Sequence, residues 1–454
     1  MKILLVYPPF CTPASPSYSI THLRSFLKSN CDEDIEAIDL NIEFHKIRFP
    51  GYKGYYGDIS NWDDYKDTTD DFNRLSLKTY SDSNRDVVNG KKPALFDDML
   101  SMIRKRKPDV VALSIVYSSQ AFYAYSLIKE LKASGIRAVI GGPAANEILA
   151  GIADAALENE TDLLEYVTKN KPAHDGLKLD YVIDFSIYNL EDYFTPVPVI
   201  PLKTSSSCFH KGCAFCSHFD KARYCEFPIE SITSTIIKSK QRYFFLIDDM
   251  IPKKRLLEIA EAFTPLKIRW ACQLRPTGDL DLETLKILSR SGLVMVMWGV
   301  ESGNDRILKL MNKGTESSAI EKVLSDSHEA GIKNALFIIF GFPTERREEF
   351  LDTMDFLSRN KGNIDMLSVS VFGLKKGTPV YNNPGKFGIM GITEEKRTIL
   401  EPKLSYKVSS GLSQEDAEKL KKGYKRTIDK MNRYPDTMNY FREHMLCLIS
   451  GRNA

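Results

Sequence analysis

Ser205-Ser206-Ser207-Cys208-Phe209-His210-Lys211-Gly212-Cys213-Ala214-Phe215-Cys216-Ser217-His218-Phe219 holds three cysteines in nine residues, with four and then two residues between thiols. It directly follows the strand-like IPLKTS (Ile200–Ser205). Three thiolates on one tight loop suit either three corners of an iron–sulfur cube or three of zinc's four positions. A closed zinc site would take its fourth ligand from His210, His218 or Cys225; no second Cys-x-x-Cys is present to finish a zinc ribbon. The cube is the favoured reading, because the segments that follow favour it and no second Cys-x-x-Cys is available; its three protein ligands would leave one iron open to a substrate.

Outward from this loop toward the C-terminus, strand and helix patterns alternate. After the helical ESITSTIIKSK come YFFLID, KRLLEIAEAF, IRWACQL, LETLKILSRSG, LVMVMWGV, AIEKVLSDSHEAG, NALFIIFG, REEFLDTMDFLSR and MLSVSVFG. Buried Val/Ile/Leu-rich strands alternating with helices mean parallel pairing. About six such units predict a partial barrel, with its ligands at the C-terminal strand ends. Outward toward the N-terminus a second alternation runs through ILLVY, ITHLRSFLK, IEAIDLN, VVALSIV, AYSLIKELKAS and AVIGGP, a Rossmann-like pattern. A polar and aromatic insertion, about 49–92, interrupts it; a structureless loop of that length is unlikely, so a partly ordered cap is expected. The tail beyond 393 is charged and helix-periodic.

Length and composition bound the rest. A chain of 454 residues carries 62 basic and 60 acidic side chains, net +2, which gives no electrostatic reason for a nucleic-acid or membrane partner. At 43% hydrophobic and 27% charged it has a folding composition, and its apolar runs are too short for a membrane span. The start MKILLVYPPF is too short an apolar run for a signal peptide, so a cytoplasmic location is expected. In that reducing setting Cys11, Cys31, Cys225, Cys272 and Cys447 read as incidental thiols. No Gly-x-Gly-x-x-Gly or phosphate-loop motif occurs.

With its cysteine loop and the strand ends that follow, the region from Pro201 to Gly388 resembles the radical S-adenosylmethionine (SAM) enzymes. The resemblance implies that Cys208, Cys213 and Cys216 hold a 4Fe-4S cluster whose open iron chelates SAM, and that Phe215 packs near the adenine. The first cysteine gap is one residue longer than the family's usual three. Asp248 and Asp249 match the segment that contacts the SAM amino group, and Glu301 and Ser302 the strand end that reaches the ribose or methionine part. Gly341 and Glu345 match the stretch along the adenine, and Gln273 and Arg275 sit at a strand end that could meet SAM. The N-terminal region resembles the cobalamin-binding domain that precedes this barrel in one large subfamily, placing Pro8, Ser114, Tyr117, Ser118, Gln120, Gly141 and Gly142 in the ligand crevice. The Asp-x-His-x-x-Gly of many cobalamin proteins is absent, which implies a lower cobalamin face without a histidine.

The expected architecture is therefore α/β: an N-terminal Rossmann-like cobalamin-binding domain (1–165), a linker (166–200), a partial (β/α)6 radical SAM barrel (201–392) and a small C-terminal helical region (393–454). The implied reaction is methylation of an unactivated carbon, on a peptide or protein side chain or on a small metabolite, through a 5′-deoxyadenosyl radical and methylcobalamin. An electron donor such as flavodoxin or ferredoxin is implied as a partner. A radical SAM enzyme that does not methylate, and a non-catalytic zinc protein, are the alternatives.

Overall fold

The computed structural model describes residues 1–59, 63–170, 177–216 and 223–449. His218, one of the alternative zinc ligands, lies outside them. The chain forms two compact units: Met1–Pro201 with Glu230–Gln241 and Lys396–Pro402, and Leu202–Ile229 with Arg242–Glu395 and Lys403–Ala454.

The first unit is built on β1 (Lys2–Tyr7), β2 (Asp34–Asp39), β3 (Val110–Ser114), β4 (Arg137–Gly141) and β5 (Ala155–Leu157). They lie in the order β2-β1-β3-β4-β5, all paired in parallel. Leu4, Leu5, Val110 and Val111 are fully buried, as expected of strands covered on both faces. The order reverses between β1 and β3, so the loops leaving them open the crevice where such sheets bind ligands. The segment between β2 and β3 is more helical than its sequence implies. It forms helices at Leu40–Arg48, Pro50–Gly57, Asp63–Val88 and Phe96–Arg104.

In the second unit β6 (Val199–Leu202), where the chain passes from one unit to the next, leads to a short antiparallel ladder of β7 (Ser205–Ser206) and β8 (Cys225–Glu226) that brackets the cysteine loop. The main strands are β9 (Tyr243–Leu246), β10 (Arg269–Leu274), β11 (Leu293–Glu301), β12 (Lys333–Phe340) and β13 (Met366–Val371), in the order β13-β12-β11-β10-β9-β6. Side chains alternate between two faces. Trp270 stacks edge-on against Phe263 of the helix Lys253–Phe263, Phe340 meets Phe350 of Arg347–Arg359, and Asn334 donates to Leu324 O of Ser317–Glu329. These residues therefore face the helical layer. Their register neighbours Gln273, Met297, Gly299, Ala335, Phe337, Ile339 and Ser368 face the concave interior. The C-terminal region departs from the all-helical expectation: β14 (Ile389–Glu395) and β15 (Lys403–Val408) form a hairpin before the helix Gln414–Asp429.

Candidate active site

Asp248 begins the site by fixing where the cysteine loop starts. Buried after β9, its carboxylate accepts from Thr204 N (3.0 Å), Ser205 N (2.7 Å) and the Thr204 and Ser205 hydroxyls (3.1 and 2.8 Å). Burial pushes its pKa up, against the pull of these hydrogen bonds. The residue is thus committed to the loop's anchor, whereas the adjacent Asp249 is exposed. Arg255, also buried, donates to Thr204 O (3.4 Å) and to Phe227 O, pinning the two flanks of the loop together.

A turn after the helix Asp305–Leu310 supports the loop from its other side. Ala214 N donates to Met311 O (2.9 Å), Asn312 Nδ2 donates to Gly212 O (2.6 Å), and the His210 ring meets Asn312 O at 3.1 Å. Cys208, Cys213 and Cys216 are in no disulfide and are of intermediate exposure. Burial raises the Cys213 pKa; Lys313 opposes that rise, and the other two thiols lie close enough to act on it. No group of three or more His, Cys, Asp or Glu side chains among the described residues stands as a metal-ligand array. The fit to a 4Fe-4S cluster therefore rests on donor chemistry: three thiols outside any disulfide on one anchored loop, with the Lys313 ammonium acting on Cys213 in the direction that favours thiolate. Cys225 pairs across the ladder with Ser206, and its thiol meets Glu226 O at 3.8 Å.

Glu301 ends β11 at a register shift, with φ +68, a left-handed conformation costly for a side-chain residue. Its Oε1 accepts from Lys313 Nζ at 2.8 Å, and both side chains are only 9% exposed. Lys313 Nζ also lies 5.7 Å from the Phe215 ring centroid. A Cβ at Gly299 would sit 2.8 Å from that ammonium, so the pair passes directly over this glycine. Phe215, Glu301 and the cysteine loop are thus brought together through a lysine the sequence reading passed over. The available signal was a basic residue in the NKG turn twelve positions after the strand-end carboxylate.

The other sequence candidates divide. Gln273 is half-buried on the interior face of β10, and Arg275 donates to Lys313 O (2.9 Å). Ser302 turns away: buried, it meets Thr353 Oγ1 at 3.1 Å and accepts from Asn304 N, tying down the next helix. Gly341, at φ +69, donates its N–H to Glu345, whose other oxygen is buried without a hydrogen bond. Desolvation raises the Glu345 pKa to about 7.

In the first unit Gln120 is a clamp. Fully buried, it donates to Pro8 O (2.7 Å) and accepts from Val116 N and Tyr117 N (2.8 and 2.9 Å), joining the loops after β1 and β3. Ser114 donates to Ser19 Oγ at 2.8 Å, while Tyr117 and Ser118 are exposed at the crevice. Gly142 has φ +106, and a Cβ there would lie 2.4 Å from Ile115 O. This structure therefore needs the glycine for the approach of two loops. Gly141 is less tightly constrained, a Cβ there lying 3.1 Å from Leu157 O.

Residues 202–357 match the family model of the Radical SAM superfamily. Among relatives, the bacteriochlorophyllide d C-12(1)-methyltransferase of Chlorobaculum tepidum is 28% identical over 194 residues, 40% of this chain and 42% of that protein. The tRNA-2-methylthio-N(6)-dimethylallyladenosine synthase of Thermotoga petrophila is 30% identical over 135 residues, 28% of this chain and 29% of that protein. The chain thus spans less than half the length of these relatives. Among solved structures, the cobalamin-dependent SAM radical enzyme OxsB with aqua-cobalamin and SAM bound aligns at TM-score 0.59 and 16% identity, over 94% of this chain and 66% of that one. The radical SAM methyltransferase TsrM of Kitasatospora setae, with cobalamin and a [4Fe-4S] cluster bound, aligns at 0.60 and 15%, over 88% and 83%. No described helix is long and apolar enough to cross a membrane. The anchored three-cysteine loop therefore belongs to a radical SAM domain, which implies a 4Fe-4S cluster and SAM, in a chain with the fold of cobalamin-dependent radical SAM enzymes.

Proposed function

We propose that this protein is a cobalamin-dependent radical SAM methyltransferase that methylates an unactivated carbon of a peptide or protein side chain. The observation that carries the reading is the cysteine loop of a radical SAM domain on a chain whose fold, over nearly its whole described length, is shared with enzymes solved with cobalamin. The methyltransferase relative supports the reaction class. Cys208, Cys213 and Cys216 would hold the cluster, and the crevice after β1, β3 and β4 would hold cobalamin. When bound, the cluster supplies the electron that cleaves SAM, and cobalamin supplies the methyl group.

The chain's own residues position and seal. Asp248 and Arg255 hold the cysteine loop in place, and the Glu301–Lys313 pair with Phe215 sets charge and an aromatic face beside it. The clamp at Gln120 keeps the first unit's crevice loops in register. An external one-electron donor such as flavodoxin or ferredoxin completes the scheme. Anaerobic reconstitution with iron, sulfide and cobalamin, followed by product analysis, tests it: equal yields of 5′-deoxyadenosine and S-adenosylhomocysteine per product are expected. Formation of 5′-deoxyadenosine alone would point to a rearrangement or ring closure.

A further inference from the structure

Two cations meet at the turn that supports the cysteine loop, and they are not equally satisfied. Lys313 is paired with Glu301 at 2.8 Å. Arg275, which follows β10, donates Nη1 to Lys313 O at 2.9 Å but has no carboxylate in an ion pair with it among the described residues. Its Nε is buried and reaches no hydrogen-bond acceptor in the protein. Burial lowers the pKa of this guanidinium, and the groups that act against burial are Cys213 and Cys208 first, with Asp279 after them. The backbone holds the arginine in that position. A Cβ on Gly314 would lie 2.9 Å from Arg275 Nη1 and 3.3 Å from the His210 ring, so the arginine and the cysteine loop both close on one glycine. Thr315 Oγ1 donates to Pro276 O at 2.6 Å and Asn312 Nδ2 to Gly212 O at 2.6 Å, which ties the same turn to the strand end that carries Arg275 and to the cysteine loop.

We infer that Arg275 is the counter-ion of the iron–sulfur cluster and raises its reduction potential. A 4Fe-4S cluster on three thiolates is anionic when oxidised and gains a further negative charge on reduction, so a nearby cation stabilises the reduced form more than the oxidised one. Glu301 offsets the charge of Lys313, whereas no carboxylate is paired with Arg275 to offset its charge, and a guanidinium keeps it at every working pH. Half-buried, that charge is screened less by salt than one on the surface. The orphaned Nε adds a donor for a sulfur acceptor, a second means by which a protein tunes such a cluster. The inference rests on the radical SAM reading of the cysteine loop, and adds the residue through which this chain eases electron entry.

Redox titration of the full-length protein tests it without turnover: the protein is reconstituted without air with iron, sulfide and cobalamin, and the EPR signal of the reduced cluster is followed before SAM is added. Arg275→Met should bind iron as the parent does and move the one-electron equilibrium about tenfold toward the oxidised cluster, a midpoint lower by about 59 mV. Arg275→Lys should keep most of the parent's potential, because it keeps the charge. Iron lost in Arg275→Met but retained in Arg275→Lys would carry the same conclusion, since charge and not shape is then what the cluster requires. Equal midpoints in the parent and Arg275→Met, or equal losses of potential or of iron in the Met and Lys variants, would overturn it. An unchanged midpoint with SAM binding about tenfold weaker by calorimetry would overturn it too, and would give the guanidinium to the SAM carboxylate instead. A parent protein that binds no iron loses the radical SAM reading as well; a parent and variant that load and titrate alike lose this assignment alone.

Discussion

Glu301 combines a left-handed backbone, burial and a single buried cation, and these features depend on one another. Removing one partner of a buried ion pair strands the other charge and costs about 3–5 kcal/mol, more than the pair is worth. Lys313→Met should therefore lower stability by about 3 kcal/mol in chemical denaturation, and adding Glu301→Gln to it should recover part of that loss, since both charges are then gone. A double variant no more stable than Lys313→Met would show that the lysine acts by packing. Glu345 makes a different demand, because its carboxyl is raised from 4.5 to about 7 chiefly by desolvation. The folded state binds this proton more tightly than the unfolded state does. The resulting stability is complete below about pH 4.5 and is lost as pH rises through 7, an effect of order 1–3 kcal/mol. Thermal midpoints measured from pH 5 to 8 should fall less steeply in Glu345→Gln than in the parent; identical slopes would place the carboxylate in a more polar setting than this.

Among the elements, the cysteine loop is held by β6, β7 and β9 through one carboxylate, and its position was legible while its anchor was not. Cys-x4-Cys-x2-Cys after a strand identifies itself by spacing, whereas Asp248 looks in sequence like any acid ahead of a helix. Only the fold shows that it faces two backbone N–H groups and two hydroxyls. Asp248→Asn preserves shape but turns one acceptor into a donor among donors, leaving buried groups unsatisfied at about 1–3 kcal/mol. The loss falls on the loop, so we expect iron per chain after reconstitution to drop severalfold while the melting temperature changes by only a few degrees. Full iron loading with intact SAM cleavage would sink this role. The helix Asp63–Val88 shows why the sequence pointed only to a partly ordered cap and not to a long helix. Its buried stripe, Tyr65, Thr69, Phe72, Ser76, Thr79, Ser83 and Val87, is helix-spaced but mostly small and polar, so hydrophobic periodicity has little to register.

For the whole molecule, strand and helix alternation in the sequence yields both parallel sheets, because strands buried on two faces advertise themselves as unbroken apolar runs. The hairpin of β14 and β15 escaped that reading for the converse reason: its strands are largely exposed, and exposed strands carry no apolar face to detect. Nor did the sequence suggest that Lys396–Pro402, between those strands, joins the first unit, where Ile399 is buried and its carbonyl accepts from Asn146 at 2.9 Å. Such a long-range assignment depends on tertiary packing, which no local pattern encodes. Ile3, Leu5 and Val139 belong to a hydrophobic cluster of the first unit, and Ile307, Phe342 and Phe372 to one of the second. All three cysteines of the loop belong to the second unit. Cys213→Ala removes a thiol from that loop and leaves the crevice after β1, β3 and β4 chemically unchanged. The variant, reconstituted without air, should lose most of its iron and all SAM cleavage while retaining corrin absorbance equal to that of the parent. Loss of iron and corrin together would mean that the first unit's crevice depends on the loop in the second, and the two sites would then have to be treated as a single cooperative structure.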